Sequence, residues 1–278
     1  MKKVISKTLL ACALTGAFAM ASTGAFAQTT TNPFPYFSVN ESAANPAAAN
    51  MLTADKITGN YDEIITFSGN TFNVSLLWNA GQFVTNNGTT PVASHLSPTG
   101  GSSNQYGLYA LYQGNGTFST SGGVTTFNFA PGGNLSVFTD PNSNTTFNKP
   151  ANGSTAWTTG NSSDDVLIAT GIPTSGQGTL NPSLSTCGSA GGSGINCGSF
   201  GSSTTFNLTS NGSKYFTSPN PFYNVSFQSG QLNNFSPTGT QEINGSMDVV
   251  FGVPEPTSVA LIGLGLFGLG MSRRKKQA

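Results

Sequence analysis

The sequence contains little charge. Only 7% of its 278 residues are charged, and it has a single histidine. Between Gln28 and Val253 there are three lysines, no arginine and nine acidic residues, which gives this body a net charge of about −6. Nucleic-acid binding requires clustered Lys and Arg side chains that neutralise phosphates. The sequence therefore predicts no nucleic-acid partner.

Groups suited to catalysis are also scarce. His95 lies in a proline-bounded loop that lacks the motifs of a Ser–His–Asp relay. The carboxylates that are adjacent in sequence, Asp62–Glu63 and Asp164–Asp165, point to opposite faces if they lie in strands. We therefore predict that the protein is not an enzyme. A polysaccharide-trimming hydrolase that uses Asp164 or Asp165 is the alternative.

Residues 1–27 have the pattern of a secretory signal peptide. Three lysines precede an apolar stretch, which is predicted to be helical. Ala25 and Ala27 form an A-x-A cleavage site, so the mature chain is expected to begin at Gln28. The protein is therefore predicted to be exported.

Cysteine is rare, and only Cys187 and Cys197 remain after removal of the signal peptide. An even number of cysteines in an exported chain predicts a disulfide, here one that closes a loop rich in Gly and Ser. A metal site is the alternative, but two cysteines without a nearby histidine make a poor ligand set.

The last 26 residues, 253–278, have three parts. Pro254, Glu255 and Pro256 favour a stiff, extended backbone. An apolar run over residues 257–271 follows, which predicts a short hydrophobic helix below the roughly 20 residues that span a bilayer comfortably. The chain then ends in a basic cluster that would stop translocation. This cluster consists of Arg273, Arg274, Lys275 and Lys276.

This tail resembles the PEP-CTERM sorting signal of Gram-negative bacteria. The resemblance rests on the Pro-Glu-Pro motif, the apolar segment and the basic end, in that order. It implies that an exosortase-type enzyme processes the protein after a transient membrane insertion through the C-terminal helix. It also implies delivery to the cell surface and association with exopolysaccharide.

Residues 28–252 are predicted to form a β-rich extracellular domain. Aromatic residues are abundant, whereas disordered chains have few. Short alternating segments such as 61–68 and 71–78 are separated by glycine-containing turns, and segment 106–112 is apolar on both faces. This pattern favours a mainly antiparallel β-sandwich or jelly roll. Segments 142–161 and 174–203 are predicted to be the least regular, loop-like parts.

One segment has features of a calcium loop. Asp140, Asn142 and Asn144 place acid and amide oxygens at alternate positions, and Asp164–Asp165 could add further ligands. The pattern is incomplete, since Thr145 replaces the glycine and Ala151 the glutamate of such loops. An Asx turn after a strand is the alternative. We predict no cofactor, with calcium as the one metal that these residues could bind.

Three body segments, 54–63, 78–83 and 106–112, together with the tail, resemble the flocculation-associated PEP-CTERM proteins of floc-forming bacteria. The resemblance implies a non-enzymatic surface protein that holds cells within their exopolysaccharide, in flocs or biofilm. It carries over no binding residues. A discrete lectin-like module, with or without calcium, is the alternative function.

Overall fold

The computed structural model describes residues 35–187, 194 and 196–252. The predicted signal peptide with Ala25, Ala27 and Gln28 lies outside the described residues. So does the tail, with Pro254–Pro256, the hydrophobic helix and the basic cluster. Within the described part of the chain, no helix has both the length and the apolar character needed to cross a membrane.

Extended strands dominate the described residues, which confirms the predicted mainly β, antiparallel class. The only α-helix among them is α1 (Gly212–Tyr215), and two 3-10 turns cover Glu41–Ala43 and Ser185–Cys187. The strands are β1 (Phe37–Asn40), β2 (Met51–Ala54), β3 (Lys56–Ser68), β4 (Thr71–Thr85), β5 (Thr90–Pro91), β6 (Gly107–Ser121), β7 (Val124–Phe129), β8 (Asn134–Asp140), β9 (Thr146–Asn148), β10 (Thr158–Gly160), β11 (Val166–Gly171), β12 (Pro173–Leu180), β13 (Gly198–Thr204), β14 (Asn207–Leu208), β15 (Phe216–Ser218), β16 (Asn224–Ser229) and β17 (Thr240–Gly252).

Eight strands close into a barrel-like sheet. Their order is β3, β4, β6, β7, β12, β13, β16 and β17, and β17 pairs again with β3. Every neighbouring pair in this ring is antiparallel. The long strand β6 branches, since its first half pairs with β8 and its second half with β7, while β4 follows its other edge. Strands β11 and β14 extend the branch beyond β8.

This closure corrects the predicted architecture, because the strands form a barrel-like sheet and not a β-sandwich or jelly roll. Strands β3, β4, β6 and β17 have 13 to 15 residues each, and they curve around one core instead of stacking as two flat sheets. A bulge between Thr58 and Gly59 adds to the curvature of β3. Sandwiches and barrels share the same inward–outward alternation, so the sequence pattern alone could not separate them.

Strands β12 and β13 correct a second expectation, because they lie in the segment predicted to be a loop. Because of their glycines, these two strands lack the alternation of apolar and polar side chains that usually indicates a strand. A Cβ atom at Gly176 would lie 3.1 Å from the Phe129 ring, and one at Gly178 would lie 2.9 Å from Cβ of Phe200. Large rings from neighbouring residues thus fill the space that side chains of β12 would otherwise occupy.

The outer face of the barrel carries a small second core. The β9–β10 hairpin and the segment between its strands cover Ile64, Leu77 and Tyr109 with the side chain of Trp157. The indole of Trp157 donates a hydrogen bond to the carbonyl of Ser75 at 3.2 Å. This arrangement leaves the odd-numbered residues around position 63 of β3 to face the barrel interior.

The two ends of the barrel differ. Strands β1 and β17, the first and last of the described chain, meet at one end of the barrel, where the rings of Phe37 and Phe251 are 4.9 Å apart. The described chain leaves the barrel at this end, at Gly252. The opposite end contains the β3–β4 and β6–β7 hairpins, the cysteines and the connection between β16 and β17. Gly252, the last described residue, therefore lies at the end opposite these hairpins.

Candidate functional site

Glu63 lies inside the barrel, in the middle of β3. Its strand neighbours across the sheet are Leu76 and Ile243, and only 4% of its surface is exposed. Ile64 instead packs in the outer core, so successive residues alternate between the two faces as predicted from the sequence. Glu63 lines two small cavities of about 20 and 10 Å³.

The Glu63 carboxyl has no protein partner in the described residues. None of their hydrogen bonds or ion pairs includes it. Burial, with a smaller contribution from the Asp62 carboxylate, raises the pKa of Glu63 from 4.5 to about 8. The group is therefore mostly protonated and neutral at pH 7, because desolvation disfavours the ionised form.

Aromatic rings form most of the walls around this carboxyl. The phenylalanines lining the larger cavity are Phe72, Phe127, Phe129, Phe200 and Phe235. The smaller cavity adds a polar pair, in which the hydroxyls of Tyr112 and Ser202 are 2.9 Å apart. Burial raises the pKa of Tyr112 to about 12, and the nearby Glu63 also contributes to the increase. Each cavity has room for about one water-sized group.

An open cleft, which we call the mouth, lies at the hairpin end of the barrel. Its volume is about 490 Å³. Hydroxyl and amide groups share its lining with apolar side chains. The lining residues are Thr120, Gly123, Thr125, Leu180, Pro182, Asn234, Phe235, Ser236 and Pro237. Phe235 lines both the mouth and the larger inner cavity, so its ring forms part of the wall between them.

Phe235 belongs to the connection between β16 and β17, residues 230–239, which we call the plug loop. Its ring stacks on those of Phe67 and Phe127, with centroid distances of 6.0 Å to each. The loop has no regular secondary structure. Ring stacking and the contacts described next therefore hold it across the end of the barrel.

The plug loop is fastened to the cysteine-containing segment. Cys187 and Cys197 form the disulfide that the sequence predicts, with their Cα atoms 4.2 Å apart. The amide of Cys197 donates to the carbonyl of Leu232 at 2.9 Å, and the amide of Asn234 donates to the carbonyl of Gly194 at 3.0 Å. The disulfide thus braces the backbone that carries Phe235.

A second candidate site is an acidic cluster formed by Asp140, Asp164 and Asp165. Carboxylate oxygens of the three residues lie within 4.8 Å of one another. Asp140 ends β8, and the other two residues immediately precede β11, its antiparallel neighbour. Paired strands of opposite direction bring these two ends together. The structure thus joins the aspartates that sequence analysis considered as calcium ligands.

Several hydrogen bonds within the protein already stabilise this cluster. The backbone amides of Asn142 and Thr145 donate to Asp140 at 3.1 and 2.8 Å. Asp165 accepts hydrogen bonds from the hydroxyls of Tyr109, at 2.5 Å, and Thr145. Burial raises the pKa of Asp165 above its usual range, and the nearby Asp140 and Asp164 carboxylates raise it further. The hydrogen bonds from Tyr109 and Thr145 act in the opposite direction and lower this pKa.

The candidate calcium loop of the sequence is only partly assembled. The Asn142 side chain donates to Asp164 at 2.8 Å, whereas Asn144 makes no hydrogen bond to the cluster in the described structure. Sequence reasoning missed Tyr109 and Thr145, whose roles depend on strand pairing. His95 has a local role, in which its Nδ1 lies 3.3 Å from the Asn104 amide nitrogen. The absence of enzymatic activity stays a prediction.

The fold and the tail together define a class of protein, a mainly antiparallel β body followed by a sorting segment. The family model described as the PEP-CTERM protein-sorting motif matches residues 252–275. The chain therefore carries a PEP-CTERM protein-sorting motif in this segment, which implies export, processing by an exosortase and localisation at the bacterial cell surface. No curated protein and no solved structure matches the chain.

Proposed function

We propose that this protein is a non-enzymatic surface protein that holds cells within their exopolysaccharide, as in flocs or biofilm. The observation that supports the proposal is that Gly252, the last described residue before the sorting segment, lies at the end of the barrel opposite the mouth. The tail follows Gly252 at one end of the barrel, and the mouth opens at the other. A protein sorted through this tail would present its mouth away from the segment that directs it to the surface.

The chemistry of the mouth suits a neutral or weakly charged polysaccharide. Thr120, Asn234 and Ser236 provide exposed hydroxyl and amide groups, and Phe235 provides a ring edge or face for sugar C–H groups. The volume of about 490 Å³ lies within the range of small-molecule sites. Among the described residues, no lysine or arginine lines the mouth, so binding would depend on hydrogen bonds and ring contacts.

Weak contacts of this kind can still hold a cell. Many copies on one surface would meet many repeats of the same polymer. Binding of the first copy raises the effective concentration for the next, so the total strength exceeds that of one contact by orders of magnitude. The function therefore requires only modest affinity from each mouth.

The proposal is tested by co-sedimentation of the purified protein with exopolysaccharide isolated from the producing strain. We expect the wild-type protein to sediment with the polymer and Asn234→Ala to reduce the bound fraction severalfold. Asn148→Ala, which removes another exposed amide from β9, is the matched control and should bind normally. Equal binding by both variants would exclude the mouth as the contact. No binding by any of the proteins would refute the function.

A calcium-dependent lectin is the second candidate, and the convergence of Asp140, Asp164 and Asp165 is the observation that favours it. Clustered carboxylate oxygens are the ligands that Ca²⁺ prefers. In this case, calcium should raise the melting temperature and increase sugar binding, and a chelator should reverse both effects. Asp164→Asn should abolish the calcium response, whereas Glu242→Gln, on the distant strand β17, should retain it. Polysaccharide binding that is indifferent to both calcium and chelator would exclude this candidate.

A further inference from the structure

The interior of the barrel contains an acidic side chain that has neither a paired cation nor a hydrogen bond among the described residues. Glu63 faces two cavities, is 4% exposed and has no hydrogen-bond partner in the described residues. Most buried polar groups in proteins are paired, so such a carboxyl requires a physical explanation. Glu41, also fully buried, shows the contrast, since it accepts hydrogen bonds from His95 N and the Tyr106 hydroxyl at 2.9 and 3.0 Å.

We propose that the barrel interior is a binding site for a small hydrophobic amine, whose ammonium group pairs with the Glu63 carboxylate among the surrounding phenylalanine rings. This site lies inside the barrel and shares the Phe235 ring with the polysaccharide contact proposed above, but neither proposal depends on the other.

The charge of the site favours a cation. Lys149 pairs with Glu242 on the outside of the barrel, and Lys56 pairs with Asp248, so these cations have carboxylates of their own. The phenylalanine rings that line the larger cavity offer faces that attract an ammonium group. The net negative charge of the body would also raise the local concentration of cations.

The sizes of the cavities favour a compact head group with an apolar remainder. The larger inner cavity, about 20 Å³, fits one water-sized group, and an ammonium group is of that size. The Phe235 ring lies between this cavity and the mouth. Rotation of Phe235 away from Phe67 and Phe127 would connect the two spaces. A ligand ring could then replace that of Phe235 in the aromatic stack.

Binding changes the protonation of Glu63 in a defined way. In the free protein the carboxyl is protonated at pH 7, and the ammonium ion requires the carboxylate. The O–H bond of Glu63 breaks, its proton goes to the solvent, and the carboxylate keeps the electron pair and contacts the ligand. The other titratable groups near Glu63 are Tyr61, Asp62 and Tyr112; the tyrosines have raised pKa values and stay neutral.

Isothermal titration of the full-length protein with 2-phenylethylamine tests the proposal, with 2-phenylethanol as the neutral probe of the same shape. We expect the amine to bind at least about tenfold more tightly than the alcohol, because only the amine can pair with the carboxylate. Titrations in two buffers of different ionisation enthalpy should show release of nearly one proton per amine at pH 7. Below pH 8 the affinity for the amine should increase about tenfold for each unit by which the pH is raised.

Variants separate the head-group contact from the entrance. Glu63→Gln should weaken amine binding at least about tenfold and abolish proton release, whereas Glu242→Gln, which removes an acid outside the barrel, should change neither. Phe235→Ala should bind the amine more tightly than wild type, since it leaves a ring-sized space beside Glu63. Equal affinity for the amine and the alcohol would overturn the proposal. So would an absence of amine binding to both the wild-type protein and Phe235→Ala.

Discussion

Glu63→Gln should remove a large part of the pH dependence of stability. In the folded protein the pKa of Glu63 is raised from 4.5 to about 8, because burial disfavours the carboxylate. Between these two values the unfolded chain has lost the proton and the folded chain retains it. The folded state therefore binds more protons, and its stability falls as the pH rises through this window. Glutamine has nearly the same shape as glutamate, but its side chain does not titrate.

The size of the effect follows from the shift. Each pH unit between the two pKa values costs about 1.4 kcal/mol of unfolding free energy. From pH 4.5 to pH 7 the wild-type protein should lose about 3 kcal/mol through this group, and from pH 4.5 to pH 9 about 4 kcal/mol. The whole stability of a typical domain is only about 5–15 kcal/mol, so the loss should be large enough to measure.

Urea denaturation at half-unit steps from pH 5 to pH 9 measures this dependence for the wild-type protein, Glu63→Gln and the control Glu242→Gln. Burial also raises the pKa values of Asp62 and Asp165, but both groups are present in the wild-type protein and in Glu63→Gln. The difference between the wild type and Glu63→Gln therefore isolates Glu63. Parallel pH profiles for these two proteins would refute the assignment of Glu63 to a closed apolar interior.

Three other substitutions test the packing. Replacing Cys187 and Cys197 together by Ser should lower the unfolding free energy by about 2–3 kcal/mol in urea titrations, since the bridge closes a loop with a sequence separation of 10; an unchanged midpoint would contradict this. Trp157→Ala should cost about 3–5 kcal/mol by the same assay, and a loss below 1 kcal/mol would mean that the outer core is not packed as described. Gly116→Ala should lower the melting temperature much more than Gly252→Ala. A Cβ atom at Gly116 would lie 2.1 Å from a backbone oxygen of β7, whereas one at Gly252 meets nothing within 4 Å. Equal shifts for the two variants would refute the close contact at Gly116.

Local sequence patterns predicted much of the strand structure. Alternation in segments 61–68 and 71–78, with the glycine-containing turn between them, predicted the β3–β4 hairpin. Burial on both faces of segment 106–112 is confirmed for residues 106–110 and for Tyr112 in the structure. These features depend on short-range spacing, which the sequence contains directly.

Ring closure could not be predicted in the same way. It depends on the pairing of β4 with β6 and of β17 with β3, which joins residues such as Ile65 and Gln241 that are far apart in the chain. Strands β12 and β13 escaped prediction because their glycines leave space for rings from other residues. Their contribution to the core is therefore visible only once those rings are placed.

For the candidate sites too, local sequence predicted some features, whereas others depend on contacts between residues that are far apart in the chain. An even cysteine count predicted the disulfide, but its role in bracing the plug loop depends on contacts with Leu232 and Asn234. The acidic pair at 164–165 was recognised as a possible addition to Asp140, and strand pairing explains why the three residues meet. Glu63 was considered only as half of a carboxylate pair. Its isolation in the barrel follows from closure of the ring.

The most direct test of the proposed function is a deletion of the gene in the producing bacterium, with flocs and total exopolysaccharide both measured. We expect the cells to disperse while the amount of exopolysaccharide stays unchanged and the polymer is released into the medium. The intact gene should restore flocs, whereas a gene with Pro254, Glu255 and Pro256 replaced by alanine should not. Flocs of normal size in the deletion strain would contradict the account.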